Sequence, residues 1–399
     1  MVNGRIRLSS PTMHGEEMKY IQEAFDKNWV APLGFNCDGF EAEMVDYLKT
    51  VGTGCNHDLY TLCLVSGTSA LHLAVKLAGV KPGDIVLCSD MTFAATVNPV
   101  AYEGGVQVFI DSERDTWNMD PEALEEGFRL HPEAKVVMLA HLYGTPSKMD
   151  EIKAVCKAHG AILIEDAAEA LGATYHDRAC GTFGNLAALS FNGNKIITTS
   201  SGGMLITRNE TQREKALFWA TQSREDTLWY QHEEIGYNYR MSNVLAGIGR
   251  GQMKHIEEHR ALKEKIYRRY QEGLKGLPVS MNPYLPDTTP NLWLSCLLID
   301  KDAMCKVERS GMTTQWQHES GKTCPDEIGQ MLGMNNIETR PIWKPMHMQP
   351  IYKNNGFVDT GVGEDIFARG LCLPSDIKMS EEEQDSVIEI IRGCFDEKR

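Results

Sequence analysis

Residues 161–170 read Ala161-Ile162-Leu163-Ile164-Glu165-Asp166-Ala167-Ala168-Glu169-Ala170. Four apolar residues closed by two acids predict a buried strand with a carboxylate at its carboxyl end. Asp166 is costly there without a cation or a helix to cap, and Ala167 and Ala168 leave room beside it for a flat group. Outward from this stretch, β-rich runs at 60–65, 85–89, 106–110, 136–140 and 187–191 alternate with segments such as 69–77 and 148–159, whose apolar residues fall three and four apart. The alternation predicts an α/β large domain, a mostly parallel mixed sheet with helices on both faces. Ligands of such sheets gather at the carboxyl ends of the strands.

Residues 242–276 form one long mixed-charge helical pattern, followed by the proline-rich segment 278–290. The domain boundary is placed along it, with residues 1–255 as an N-terminal arm and large domain. Residues 256–399 then make a smaller α+β domain, with a strand at 293–300 and an amphipathic helix at 380–395. A chain of 399 residues exceeds what one core usually serves. The net charge of -15, from 40 basic and 55 acidic residues, argues against a nucleic-acid or anionic-membrane surface. An anionic substrate therefore needs a local basic cluster. The 11 cysteines are odd in number and contain no CxxC pair, so no metal site is expected and free thiols in a reducing cytosol follow. Met1-Val2-Asn3-Gly4-Arg5-Ile6-Arg7 lacks a signal-peptide core, and no run approaches about 20 apolar residues. A soluble, cytoplasmic protein is expected.

The chemistry concentrates in a few segments. Leu189-Ser190-Phe191-Asn192-Gly193-Asn194-Lys195 places a lysine shortly after a serine, 29 positions beyond Asp166. This combination suits pyridoxal phosphate: the lysine amine bonds to the cofactor aldehyde, the aspartate keeps the pyridine nitrogen charged, and the serine hydroxyl binds phosphate. Val65-Ser66-Gly67-Thr68-Ser69-Ala70-Leu71 turns from a strand through glycine into a helix whose N-terminal amides suit a phosphate. Read alone, it is equally a helix capped by Ser66 or Thr68. Phe93, at a helix start in Met91-Thr92-Phe93-Ala94-Ala95-Thr96, stacks on a ring or fills the core. Asp166 alone reads as an N-cap, and Glu169 reaches either a cofactor oxygen or a cap. Gly236-Tyr237-Asn238-Tyr239-Arg240-Met241-Ser242-Asn243 offers Asn238 to a phosphate and Tyr239 and Arg240 to an anionic substrate, or else decorates an N-cap at Ser242.

These segments, in this order and over nearly the whole chain, resemble the DegT/DnrJ/EryC1/StrS family of nucleotide-sugar aminotransferases, a fold-type-I branch of the pyridoxal phosphate enzymes. The resemblance implies that Lys195 carries the cofactor and shuttles the proton, with Asp166 as pyridinium partner. It further implies Glu169 at the cofactor hydroxyl, Phe93 on the ring, and Gly67, Thr68, Ser69 and Ser190 around the phosphate. Asn238 is the phosphate contact expected from a neighbouring subunit, hence a homodimer with shared active sites. Residues 338–350, Glu338-Thr339-Arg340-Pro341-Ile342-Trp343-Lys344-Pro345-Met346-His347-Met348-Gln349-Pro350, narrow the resemblance to members that aminate UDP-4-keto-6-deoxy-N-acetylglucosamine, the UDP-N-acetylbacillosamine branch. Arg340, Lys344 and His347 there would offset a nucleotide diphosphate, and Trp343 would pack on sugar or base; the alternative is a proline-stiffened loop. The implied reaction moves an amino group from L-glutamate to C4 of the sugar for surface glycan biosynthesis. Ser201 and Leu189 depart from the family pattern, where a glycine and a phenylalanine are expected. Residues 300–335 do not align.

Other readings are weaker. GDP-perosamine-type or dTDP-sugar aminotransferases remain within the same family. The sugar dehydratase branch resembles members with histidine at the lysine position, which Lys195 disfavours. A lyase or desulfurase lacks an obvious catalytic cysteine loop. A non-catalytic pyridoxal phosphate-binding regulator would carry an added partner domain, and no basic helix-turn-helix is left over. A nicotinamide dehydrogenase would open its first βα unit with G-x-G-x-x-G, which is absent.

Overall fold

The computed structural model describes residues 4–311 and 313–396, so the outermost residues of both expected domains, 1–3 and 397–399, lie outside the described residues. The large sheet has eight strands: β1 (Tyr60–Leu64), β2 (Ile85–Ser89), β3 (Val106–Ile110), β4 (Val136–Ala140), β5 (Ile162–Asp166), β6 (Leu186–Ser190), β7 (Gly203–Thr207) and β8 (Gly356–Val358). Their spatial order is β1-β7-β6-β5-β4-β2-β3-β8. β7 runs antiparallel to both β1 and β6, and the other pairs are parallel. Six of these strands fall within a residue of the runs read from the sequence. β7 was not anticipated, and β8 brings a segment from beyond residue 350 back to the sheet edge.

The strands are apolar almost throughout because both faces are covered. One core layer gathers Leu62, Leu64, Val86, Phe109, Met138 and Ile164 under the Gly67–Leu77 and Ala94–Tyr102 helices. The opposite layer holds Leu87, Val108, Val137, Leu139 and Leu163 against the Pro121–Leu130 and Met149–Ala158 helices. A four-stranded antiparallel sheet, in the order Val279–Met281, Ser295–Ile299, Gly370–Leu373, Arg340–Pro341, forms a separate layer. It packs with the Ile256–Gly273 and Glu381–Gly393 helices. Residues 300–335, unread in the sequence, fold as a hairpin of Val307–Ser310 and Thr313–Trp316 and the Pro325–Met334 helix.

The single helix expected over 242–276 is two, Asn243–Met253 and Ile256–Gly273, broken at Lys254 and His255. Their packing differs. The first presses its backbone against neighbours, and a Cβ on Gly251 would lie 2.7 Å from the Glu17 backbone. The second turns its apolar side to the small sheet. Mixed surface charge runs through the break and hides it from periodicity alone.

Candidate active site

The carboxyl ends of β1, β5 and β6 open into a cavity of about 320 Å³ that brings together Gly67, Thr68, Phe93, Asp166, Glu169, Ser190 and Lys195. Ser66 caps the Gly67–Leu77 helix and makes a reciprocal capping box with Ser69. The Ser69 hydroxyl donates to the Ser66 carbonyl at 2.7 Å and does not line the cavity. Ser69 thus builds the helix start, whose free amides face the cavity. A Cβ on Gly67 would stand 3.0 Å from Ser190 Cβ, and one on Gly203 would come within 2.3 Å of the Ser66 carbonyl. Gly67 leaves room for the Ser190 side chain beside the helix start, and Gly203 lets β7 lie directly against the Ser66 and Gly67 backbone.

Asp166 ends β5 and is 8% exposed. No helix follows it. Its Oδ1 accepts from the Ala168 amide at 3.0 Å and its Oδ2 from Thr96 Oγ1 at 2.6 Å. The adjoining Glu165 is fully buried, accepts from His141 Nε2–H at 2.9 Å and takes the Gly181 amide at 2.8 Å. Its carboxyl is held below the usual range despite burial, chiefly by His141. The Ser147 amide points at His141 Nδ1. Burial works against protonation of His141, but Cys180 and Glu165 beside it prevail and raise it to about 10.

Lys195 Nζ lies 3.2 Å from Glu169 Oε1 and 4.1 Å from the centre of the Trp293 ring. Glu169 Oε2 accepts the Tyr143 amide at 2.8 Å, with Tyr143 in the left-handed region at φ 53°, a conformation that costs a side chain of this size about 1–3 kcal/mol. Burial lifts the Glu169 carboxyl to about 7, against the pull of the Lys195 ammonium and the Tyr143 amide. Phe93, Trp293 and Trp343 wall the cavity and continue into an open outer cleft of about 1020 Å³ that also holds Arg5, Arg7, Arg340 and Lys378. A cationic amine, a carboxylate at a strand end, a glycine-opened helix start and a flat aromatic-walled space suit a phosphorylated pyridine aldehyde.

Several expected residues stand elsewhere. Arg240 is 7% exposed and donates to Glu41 Oε1 at 2.9 Å, so its charge is matched within the chain. Tyr239 stacks on Tyr237 and contacts His72. Asn238 is exposed and outside its own chain's cavity. His347 is bound by Asp90 at 2.7 Å and Glu364 at 3.0 Å. Burial works against its protonation, but these carboxylates prevail and raise it to about 9. Lys344 lines neither cavity, whereas Arg340 reaches the outer cleft while paired to Glu338 at 2.7 Å. Sequence reading missed Thr96, His141, Tyr143 and Trp293. The only available signal was their position just past or between strand ends.

This is the fold of the fold-type-I pyridoxal phosphate-dependent aminotransferases. The profile of the DegT/DnrJ/EryC1/StrS aminotransferase family matches residues 11–392, and the chain belongs to that family. It is 44% identical over 98% of its length to EpsN of Bacillus subtilis (strain 168), designated a pyridoxal phosphate-dependent aminotransferase, of which it covers 96%. It is 33% identical to the GDP-perosamine synthase of Caulobacter vibrioides (strain ATCC 19089 / CIP 103742 / CB 15), over 96% of each. Among solved structures, the aminotransferase TlmJ from Streptoalloteichus hindustanus superposes with a TM-score of 0.84 over 98% of both chains at 25% identity.

Proposed function

We propose that this chain binds pyridoxal 5'-phosphate and transfers an amino group from L-glutamate to C4 of a nucleotide-linked 4-keto-6-deoxy sugar. UDP-4-keto-6-deoxy-N-acetylglucosamine is the first substrate of choice, and surface glycan biosynthesis the setting. The observation that carries the reading is Lys195, Asp166 and Glu169 gathered around one cavity, which opens onto a cleft where Arg5, Arg7, Arg340 and Lys378 stand among Glu338, Asp376 and Glu383. When bound, the cofactor supplies an electron-accepting ring and an aldehyde carbon that carries the amine.

The chain's own residues do the rest. Lys195 would tether the cofactor and, in each half-reaction, carry the proton between the reacting carbon of the bound substrate and the cofactor's aldehyde carbon. Asp166, oriented by Thr96 and the Ala168 amide, keeps the ring nitrogen charged. Gly67, Thr68 and Ser190 hold the phosphate, Phe93 covers the ring, and Glu169 faces its hydroxyl. Trp293 and Trp343 limit water around Lys195, which protects the proton transfers. In the outer cleft, Arg340 with Arg5, Arg7 and Lys378 meets the diphosphate that an overall acidic surface would repel.

The exposure of Asn238, together with exposed Met13, Met18, Phe25, Trp29, Val30 and Leu33, supports a homodimer whose sites draw Asn238 from the partner. The assay pairs L-glutamate with UDP-, GDP- and dTDP-4-keto-6-deoxy sugars and expects ping-pong kinetics with the UDP-linked N-acetyl sugar fastest. The GDP-perosamine synthase relative favours the GDP sugar as second reading, and turnover of that sugar alone would establish it. Absence of turnover with all three, in protein that holds the cofactor, would favour a non-catalytic regulator.

A further inference from the structure

Outside the cofactor cavity, one lysine joins three parts of the fold. The Ile256–Gly273 helix reads as a solvated run of mixed charge, with Arg260, Glu264 and Lys265 on either side of Lys263. Lys263 nevertheless turns inward and is 4% exposed. Its Nζ donates to Ser9 Oγ at 3.3 Å, to the Trp293 carbonyl at 3.0 Å and to the Ser375 carbonyl at 2.5 Å. These acceptors belong to the N-terminal arm, to the chain entering the Ser295–Ile299 strand and to the chain leaving the Gly370–Leu373 strand. An ammonium has three N–H groups, and each has an acceptor here.

Two of the three acceptors converge on the residue before Lys195. Ser9 Oγ accepts from Lys263, so its own proton is left for the Asn194 carbonyl, 3.0 Å away. The Trp293 indole Nε1–H donates to that same carbonyl at 2.5 Å. Both lone pairs of the Asn194 oxygen are then engaged. Beyond this anchored carbonyl, Lys195 Nζ stands 4.1 Å from the centre of the Trp293 ring and 3.2 Å from Glu169 Oε1. Packing alone does not call for an ammonium at this position. All three acceptors are neutral, and burial draws the Lys263 amine down to about 7 against the pull of Asp376. An apolar side chain of similar length would avoid that desolvation. What it could not do is hold Ser9 and Trp293 to Asn194.

We propose that Lys263 is a positioning residue for Lys195: through Ser9 and Trp293 it fixes the Asn194 carbonyl, and with it the direction from which the Lys195 amine enters the cavity. The inference rests on the reading of Lys195 as the amine that bonds the cofactor. Lys263 itself does not line the cavity and exchanges no proton there. In the step it serves, the Lys195 nitrogen adds to the aldehyde carbon and the aldehyde oxygen leaves as water. That addition depends on the angle of approach, and a misplacement of about 1 Å can slow such a step by about 100-fold.

The test removes the cofactor from the loaded protein, returns pyridoxal 5'-phosphate at rising concentrations and follows the absorbance of the lysine-bound form by stopped flow. This separates the half-saturating concentration from the limiting rate of bond formation. In Lys263→Met the limiting rate should fall about tenfold or more, with the half-saturating concentration within about twofold of wild type because the phosphate cradle is untouched. Loss of stability alone would lower the melting temperature and the amplitude, not the limiting rate of the protein that stays folded. Ser9→Ala, on the half-buried arm, should slow bond formation about threefold or more, and should add nothing once Lys263→Met is present. A Lys263→Met protein that bonds the cofactor at the wild-type rate would overturn the proposal. If that variant does not fold, Ser9→Ala decides, and a wild-type rate there would overturn it. Failure of the wild type itself to form the bond would overturn the reading of Lys195, and the proposal with it.

Discussion

Glu169 sits between a buried carboxylic acid and an ion-pair partner, and its pH behaviour distinguishes the two. In the folded chain burial lifts it to about 7, whereas an unperturbed glutamate ionises near 4.5. Between those values the native state holds a proton that the unfolded chain has released. The stability this adds is full below about 4.5 and is lost as the pH rises through about 7. Glutamine cannot ionise. In cofactor-free protein, the melting temperature of Glu169→Gln should therefore gain on wild type as the pH rises from about 5 to about 8.5. A pH-independent difference would mean that Glu169 is ionised throughout. The sequence showed Glu169 near the site because it follows Asp166 by three residues, but its environment was illegible. Tyr143, which bonds it, is 26 positions away. His347 misled for the converse reason: a histidine in a basic, proline-rich loop looks free until Asp90, 257 positions away, is seen to hold it.

At the scale of elements, the cradle depends on β7 entering beside the start of the Gly67–Leu77 helix. Gly203 begins β7, and a Cβ there would come within 2.3 Å of the Ser66 carbonyl. Gly203→Ala must push the helix start or the strand aside, and either displaces the helix-start amides proposed to hold the phosphate. The cofactor dissociation constant should rise at least tenfold, about 1.4 kcal/mol, as measured by equilibrium dialysis. Unchanged affinity would place the phosphate elsewhere. The parallel strands were legible because both-face burial makes each a short apolar run bounded by turns. β7 was not, since Gly202 and Gly203 read as the tail of a Ser- and Gly-rich loop rather than a strand start. Pairing direction is set by neighbours distant in sequence, and no local pattern encodes it.

For the whole molecule, the position of Asn238 outside its own cavity makes shared sites testable. If each site combines Lys195 of one protomer with Asn238 of its partner, the variants Lys195→Ala and Asn238→Asp should be nearly inactive alone. Reassociated in equal amounts, half the dimers would be mixed, each with one intact site, which recovers about a quarter of the wild-type rate. No recovery would leave each site within one chain. The division into layers was legible from composition and alternation, whereas the return of β8 to the large sheet was not, because a three-residue edge strand carries almost no pattern. Everything rests on the proposed bond at Lys195, and the most direct test is to reduce the cofactor-saturated protein with borohydride and locate the added mass by peptide mass spectrometry. The account predicts one pyridoxyl phosphate per chain, on Lys195. Its attachment to any other lysine, or an unmodified Lys195 in cofactor-saturated protein, would contradict it.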